Sequence, residues 1–200
     1  KQAAIDYSKC ISCGACTKNC PFGAITDRSY ITDVIKLIKS DTPVYAVFAP
    51  AIEGHFGSAN VGMLKAALRK LGFTDAVEVS LGADATSYHE AHELVEAVEN
   101  HTKLTTSCCP AFVDMIEKHF PKVVPYISKT ASPMTMTVRY LKAEHPEIKV
   151  VFIGPCIAKK LEAQKVMDTA DYVITFEELA ALFDAREINP MDMADNEQDG

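Results

Sequence analysis

The chain lacks any apolar run long enough to span a membrane; its longest, Val44 to Ile52, is interrupted by Pro50. Its first residues do not resemble a secretory leader, since Asp6, Lys9 and cysteines occupy the positions of a leader's apolar core. No basic stripe is present to neutralise a phosphate backbone, so nucleic acid is not an expected partner. Internal repeats and low-complexity linkers are absent too. Cysteine is scarce by the standard of a small secreted disulfide scaffold, at seven in 200 residues, and the number is odd.

What remains has ordinary globular composition, 48% hydrophobic and 24% charged, which excludes disordered, collagenous and coiled-coil chains. A chain this long buries roughly 70% of the surface exposed on unfolding, so its core needs no disulfides. The net charge of −7 is unevenly placed. Residues 184–200 hold six acids and one base, and are expected to form a solvated acidic tail. The cysteines are uneven too: four within residues 10–20, an adjacent pair at 108 and 109, and one at 156. This is the pattern of ligands in a reducing compartment, and a cytoplasmic location is expected.

Apolar periodicity alternates between short β-branched runs and helical stretches. Strands are expected at Val44–Phe48, Ala76–Val79, Lys103–Thr106, Val150–Ile153 and Tyr172–Ile174. Helices are expected over Val61–Leu71, stopping at Gly72, from about Gly82 to Asn100, over Met134–Glu144 and over Phe176–Phe183. Alternation of this kind predicts an α/β fold, a parallel sheet with helices on both faces. Sites in such sheets gather at the carboxyl ends of strands. Three expected strand ends carry Ala49-Pro50, Cys108-Cys109 and Pro155-Cys156.

The run Cys10-x2-Cys13-x2-Cys16-x3-Cys20-Pro21 has the spacing of a ferredoxin-type 4Fe–4S loop. A zinc knuckle would need only two close pairs and no closing Cys-Pro. In two-cluster ferredoxins the fourth cysteine serves the neighbouring cluster, so Cys20 either closes this cluster or belongs to another. Thr106-Ser107-Cys108-Cys109-Pro110 sets a cysteine pair before a proline that opens a helix. The pair reads as buried filler, as metal ligands or as a redox thiol. Gly154-Pro155-Cys156-Ile157-Ala158-Lys159-Lys160 repeats the device of a strand followed by cysteine, and a buried free thiol is the plainer reading of Cys156 alone.

Taken together, these residues resemble the first two signature motifs of the FeFe-hydrogenase catalytic domain, TSCCP and PCxxKxxE, the second complete through Glu162. A ferredoxin-type segment precedes that domain in many members. The resemblance implies a ferredoxin-like segment over 1–32 and the first part of the H-cluster domain over 33–200. It implies that Cys109 and Cys156 ligate the 4Fe–4S half of the H-cluster and that Cys108 exchanges protons with the two-iron subsite. Lys159 would hydrogen-bond a cyanide of that subsite, and the Ala49-Pro50-Ala51 backbone would face the other cyanide. The family's proton route falls on Glu90, Glu93 and Ser128. Without the resemblance, Glu90 and Glu93 read as a solvated acidic face shared with Glu96, and His89 and His92 as exposed helix histidines.

Departures are visible. Ala111-Phe112 stands for the usual Gly-Trp, Gly154 for a methionine, and Ala51 for a serine. The third cysteine motif is missing, so these residues offer too few thiols for a complete H-cluster and read as a piece of the enzyme. The implied function is reversible reduction of protons to dihydrogen, with ferredoxin or another electron carrier as partner. A non-catalytic relative (a hydrogen sensor or an iron–sulfur assembly homologue) and a plain ferredoxin-type carrier are the alternatives.

Overall fold

The structure, a computed structural model, describes residues 4–194. The elements run in the order α1 (Ala15–Asn19), α2 (Ile31–Ile38), β1 (Val44–Phe48), α3 (Val61–Leu71), β2 (Asp75–Glu78) and α4 (Ser80–Glu99). They continue with α5 (Pro110–His119), α6 (Pro133–Glu144), β3 (Lys149–Ile153), α7 (Ala158–Lys165), β4 (Tyr172–Ile174) and α8 (Phe176–Ala185). Helix boundaries follow local capping chemistry. Asn60 accepts from the Met63 N–H at 2.9 Å to open α3, which ends at Gly72. Ser132 caps α6 ahead of Pro133, and Thr175 and Glu178 form a reciprocal capping box on α8.

The four strands form one parallel sheet in the order β2-β1-β3-β4. Alternate side chains go to opposite faces, and both faces are covered. Val44, Ala46 and Phe48 of β1 and Val151 and Ile153 of β3 pack with α2, α3 and α8, around Val34, Leu64, Leu68, Leu179 and Phe183. Val47, Val150, Phe152 and Val173 point the other way, onto Met134, Val138 and Leu141 of α6. Burial on both sides explains why these strands read as continuous apolar runs in the sequence. The expected α/β fold is therefore present.

Three expectations need correction. Lys103–Thr106 is not a strand: only Thr105 makes a single parallel bridge, to Ile127. Leu104 is its one large apolar residue, too little to bury against a sheet. The cysteine pair consequently follows a loop rather than a sheet strand. Helix α4 starts at Ser80 and runs through Gly82 instead of beginning after it. The segment from residue 184 also departs from a solvated tail, because Ile188 and Pro190 are buried and Met193 packs on the core. Residues 195–200 of that tail lie outside the described residues.

Gly82 sets how closely α4 crosses α6. A β-carbon there would overlap the Pro133 carbonyl and Thr137 on α6, so the two backbones approach as only glycine allows. Gly82→Ala should lower stability by about 2 kcal/mol through forced separation of the helices, read as an earlier urea midpoint.

Asp171 joins β3, β4 and α6. Its carboxylate accepts from Lys149 Nζ at 2.9 Å and the Val150 N–H at 2.9 Å, and pairs with Lys142 at 3.1 Å. Burial by itself raises this carboxyl, but the donors from Lys149, Val150 and Lys142 outweigh it and hold it below the usual carboxylate range. The folded state thus favours the ionised form. Its contribution is full above about pH 4, the ordinary carboxylate value, and is lost as pH falls through the lowered one. Asp171→Asn should cost about 1–2 kcal/mol at neutral pH and flatten the decline in stability on acidification. Urea titrations at neutral and acid pH read this directly; parallel pH profiles for variant and parent would contradict it.

Candidate metal centre

Strand β1 hydrogen-bonds to β2 on one side and β3 on the other, so the chain's winding reverses between β1 and β3. Crevices form at such a switch point, outside the carboxyl ends of the strands. Here those ends carry Ala49-Pro50-Ala51 and Gly154-Pro155-Cys156. The Ala49 N–H donates to the Ile153 carbonyl at 2.9 Å, holding the two ends side by side. Pro50–Ile52 then makes a single 3₁₀ turn anchored by buried Ile52, leaving Pro50 and Ala51 exposed. Gly154 is tightly enclosed, and the Phe152 ring lies 2.6 Å from where its β-carbon would sit. A methionine at this position would displace that ring.

The cysteine pair stands at the start of α5, a helix that packs against α7. Cys109 is the residue before Pro110, which opens the helix, and it is exposed; Cys108 is half-buried. Lys159 of α7 donates from Nζ to the Cys108 carbonyl at 3.1 Å and to Glu162 Oε2 at 2.6 Å. Buried Glu162 in turn accepts from Ser132 and from Thr135 Oγ1 at the start of α6. Residues 132, 135, 159, 162 and 108 thereby form one continuous polar chain. It ties the pair to the segment that carries Cys156, three residues before Lys159. An ammonium has three donors, and two of those of Lys159 are engaged in these bonds.

Glu90 and Glu93 do not lie on a free solvated face. Both are half-buried, whereas Glu96 is exposed. Glu90 Oε1 accepts from Thr106 Oγ1 at 3.0 Å and from the Ser107 N–H at 3.4 Å, directly before Cys108. Glu93 Oε1 accepts from the Lys129 N–H at 3.1 Å, beside Ser128. Glu93 Oε2 is buried with no hydrogen-bond partner among the described residues. Ser128 is buried, accepts from the Thr130 N–H at 3.1 Å, and donates its own N–H to the Thr105 carbonyl at 2.8 Å. The loops at 105–108 and 127–130 are thus clasped together in front of α4. His89 and His92 remain on the exposed side, against the Tyr88 ring.

In the N-terminal loop, Cys10, Cys13 and Cys16 line one cavity of about 270 Å³ with Ile25, Ile157 and Leu161. Soft thiols around an apolar-backed cavity suit an iron–sulfur cluster. No three His, Cys, Asp or Glu side chains among the described residues gather as ligands of a single metal ion. Cys20 stands apart from the cavity lining. Backbone N–H groups of Ala24, then Phe22, hydrogen-bond its sulfur and hold the thiol below its ordinary value, toward the thiolate a cluster requires. Gly14, at φ +78°, lies against Ile157, whose Cδ1 is 3.2 Å from where a β-carbon would sit. The N-terminal loop therefore rests on the residue that follows Cys156.

Sequence reasoning passed over the side chains that hold this loop. Lys118 and His119 at the end of α5 reach the main chain of Cys10 and Lys9. Lys160 is buried and binds Asp27 Oδ2 at 2.5 Å, the Arg28 carbonyl at 2.9 Å and Glu178 Oε2 at 2.8 Å. The i,i+4 spacing of Asp114 and Lys118 was a visible signal, though it reads as an ordinary helix pair.

Comparison with known proteins places the sequence among relatives. Residues 42–200 match the family profile of the iron-only hydrogenase large subunit, C-terminal domain, and residues 3–26 match the 4Fe-4S binding domain. The chain is 29% identical to the NADP-reducing hydrogenase subunit HndD of Solidesulfovibrio fructosivorans, across 95% of this chain and 38% of that protein. It is 30% identical to the periplasmic Fe hydrogenase large subunit of Nitratidesulfovibrio vulgaris, across 98% of this chain and 60% of the relative. It is also 26% identical to the cytosolic Fe-S cluster assembly factor NAR1 of Meyerozyma guilliermondii, across 91% and 40%. The chain thus spans less than two thirds of the length of these relatives. No helix among the described residues is long and apolar enough to cross a membrane.

Proposed function

The chain belongs to the iron-only hydrogenase family, matching the C-terminal domain of its large subunits behind a 4Fe–4S binding domain, and from that premise we propose that the whole protein catalyses reversible reduction of protons to dihydrogen. Two protons and two electrons combine to give one dihydrogen molecule. Cys10, Cys13, Cys16 and, in this or a neighbouring cluster, Cys20 would hold a 4Fe–4S cluster, which would supply electrons taken from ferredoxin or another carrier. We take residues 1–32 as the electron-input segment and 33–200 as part of the catalytic domain. The family's H-cluster supplies the redox chemistry when bound. Cys109 and Cys156 are two of its ligands, with further ligands beyond the cysteines of this sequence.

The chain's own residues divide the remaining work. The Cys108 thiol gives and takes the proton at the crevice. Glu93 beside Ser128, and Glu90 against the Thr106 hydroxyl and the Ser107 N–H, carry protons inward from α4 toward Cys108. Positioned acid–base groups of this kind contribute about 10²–10⁴-fold to a rate. Lys159, with one donor still to give, and the Ala49-Pro50-Ala51 backbone orient diatomic ligands of the cofactor. Reduced thiols at all seven cysteines fit a cytoplasmic setting.

The observation that carries the reading is the buried, unpartnered Oε2 of Glu93. Leaving such an oxygen without a donor costs about 1–3 kcal/mol, and an open acceptor beside Ser128 is the feature a proton route through this helix requires. In the assembly-factor relatives the role, by their name, is cluster assembly, and a proton relay has no part in that reading.

The full-length protein, produced with the hydrogenase maturation machinery, should show infrared bands of iron-bound carbon monoxide and cyanide and should evolve dihydrogen from a reduced carrier. Bands without dihydrogen turnover would replace the enzyme by a sensor. Their absence from an iron-loaded sample would favour the assembly class. In the matured enzyme, Cys108→Ser should reduce turnover at least about 100-fold while keeping the infrared bands. Unchanged turnover would remove Cys108 from the proton route.

A further inference from the structure

Helix α5 ends on the N-terminal loop. Lys118, in its last turn, donates from Nζ to the carbonyl of Cys10 at 2.6 Å and to Asp114 Oδ2 at 3.1 Å. Asp114 is buried one turn earlier, and its other oxygen accepts from Lys165 Nζ of α7 at 2.8 Å. The neighbouring His119 ring N–H donates to the Lys9 carbonyl at 2.9 Å. Two successive carbonyls entering the cysteine run are therefore held by two successive side chains of one helix end.

The charges do not cancel. Burial pushes the Asp114 carboxyl up, but hydrogen bonds from Lys165 and Lys118 outweigh it and hold it below the usual carboxylate range, so it stays ionised. One anion then faces two cations, an excess of one positive charge. The Lys165 side chain is 51% exposed, against 23% for Lys118. Solvent screens the first more than the second. The less screened charge is the one that touches the main chain of a cysteine. Reduction adds negative charge to an iron–sulfur cluster, so a fixed cation beside its ligand loop favours the reduced form.

We propose that Lys118 is a positioning residue that, held by Asp114, fixes the Cys10 loop against α5 and raises the reduction potential of the cluster bound there. This rests on Cys10 being a 4Fe–4S ligand and not on turnover of dihydrogen. Lys118 is the residue to alter, because Asp114 retains Lys165 as a partner when Lys118 is lost.

The test is a redox titration of the N-terminal cluster, followed by electron paramagnetic resonance, in the full-length protein with iron and sulfide content measured. Lys118→Met should shift the midpoint to more negative potential and speed amide hydrogen exchange across residues 10–20. Lys118→Arg should restore both toward the parent. An unshifted midpoint in an iron-replete Lys118→Met sample would overturn the proposal. Should Lys118→Met fail to hold iron, Lys118→Gln keeps a donor for the Cys10 carbonyl without the charge. A parental midpoint in that variant would equally overturn it, and a more negative one would support it. Failure of the hydrogenase reading shows separately, in the infrared spectrum.

Discussion

Strands β1 and β3 lie side by side and parallel, in register from Val44 opposite Lys149 to Phe48 opposite Ile153, and the rest of the molecule is arranged around that pairing. A parallel pair at the centre of a sheet has both faces to cover, so each strand must be apolar along its whole length. Helices must then supply the covering: α2, α3 and α8 on one side, and chiefly α6 on the other. The same pairing brings the two strands' carboxyl ends together. Ala49-Pro50-Ala51 and Gly154-Pro155-Cys156 become neighbours because the strands before them have no freedom to separate. A slip of one residue would turn every apolar side chain to the wrong face. The register that closes the core therefore also fixes the site.

Onto this frame the polar network adds definition more than stability. Lys159 and Glu162 are both largely buried, and taking two charges from water costs several kcal/mol per ion before their attraction is counted. The pair is retained with every visible partner satisfied: Ser132 and Thr135 on Glu162, the Cys108 carbonyl on Lys159. Such a network is unfavourable when half made and favourable when complete, so it selects a single arrangement of the cysteine pair relative to α7. Gly82 acts in the same direction through sterics. By letting α4 settle closely on α6 it brings Glu90 and Glu93 within reach of the loops at 106–107 and 129.

The legible parts of the sequence were those in which local chemistry and tertiary environment agree. Val44–Phe48 and Val150–Ile153 are continuous apolar runs rich in β-branched and aromatic residues because both faces are buried, and both were read as strands. Helix α3 carries its own start and stop signals at Asn60 and Gly72. Lys103–Thr106 misled because two threonines raise β-propensity while Leu104 alone gives no face to bury. The motifs TSCCP and PCxxKxxE were legible as a family resemblance, and the matched profile bears that out. Their meeting in space was implied by that resemblance alone, and the bond that ties them, from Lys159 to a main-chain carbonyl 51 residues away, left no mark in the sequence. Glu90 and Glu93 were ambiguous for a related reason: their partners are hydroxyl and amide donors of loops with no periodicity. The grip of Lys118 on Cys10 spans 108 residues and ends on a carbonyl, which every residue possesses. Sequence carries no mark of such a contact.

Helix α5 links the two cysteine-bearing parts of the chain. One end carries the cysteine pair, and the other places Lys118 and His119 on the N-terminal loop. Ten residues of α-helix span about 15 Å, so a stiff rod of that length connects the cysteine pair to the contact that holds Cys10. A second, shorter connection runs through Ile157, which adjoins Cys156 in sequence and touches Gly14 between Cys13 and Cys16. Protons, on the proposed reading, arrive from α4 through Glu93 and Glu90. On the same reading, electrons arrive from the loop held by α5 and α7, so the two supplies use different elements and converge on Cys108 and Cys109. One cysteine would then serve the acids while the next serves the cluster, a division that a pair of neighbouring cysteines meets more simply than two distant ones.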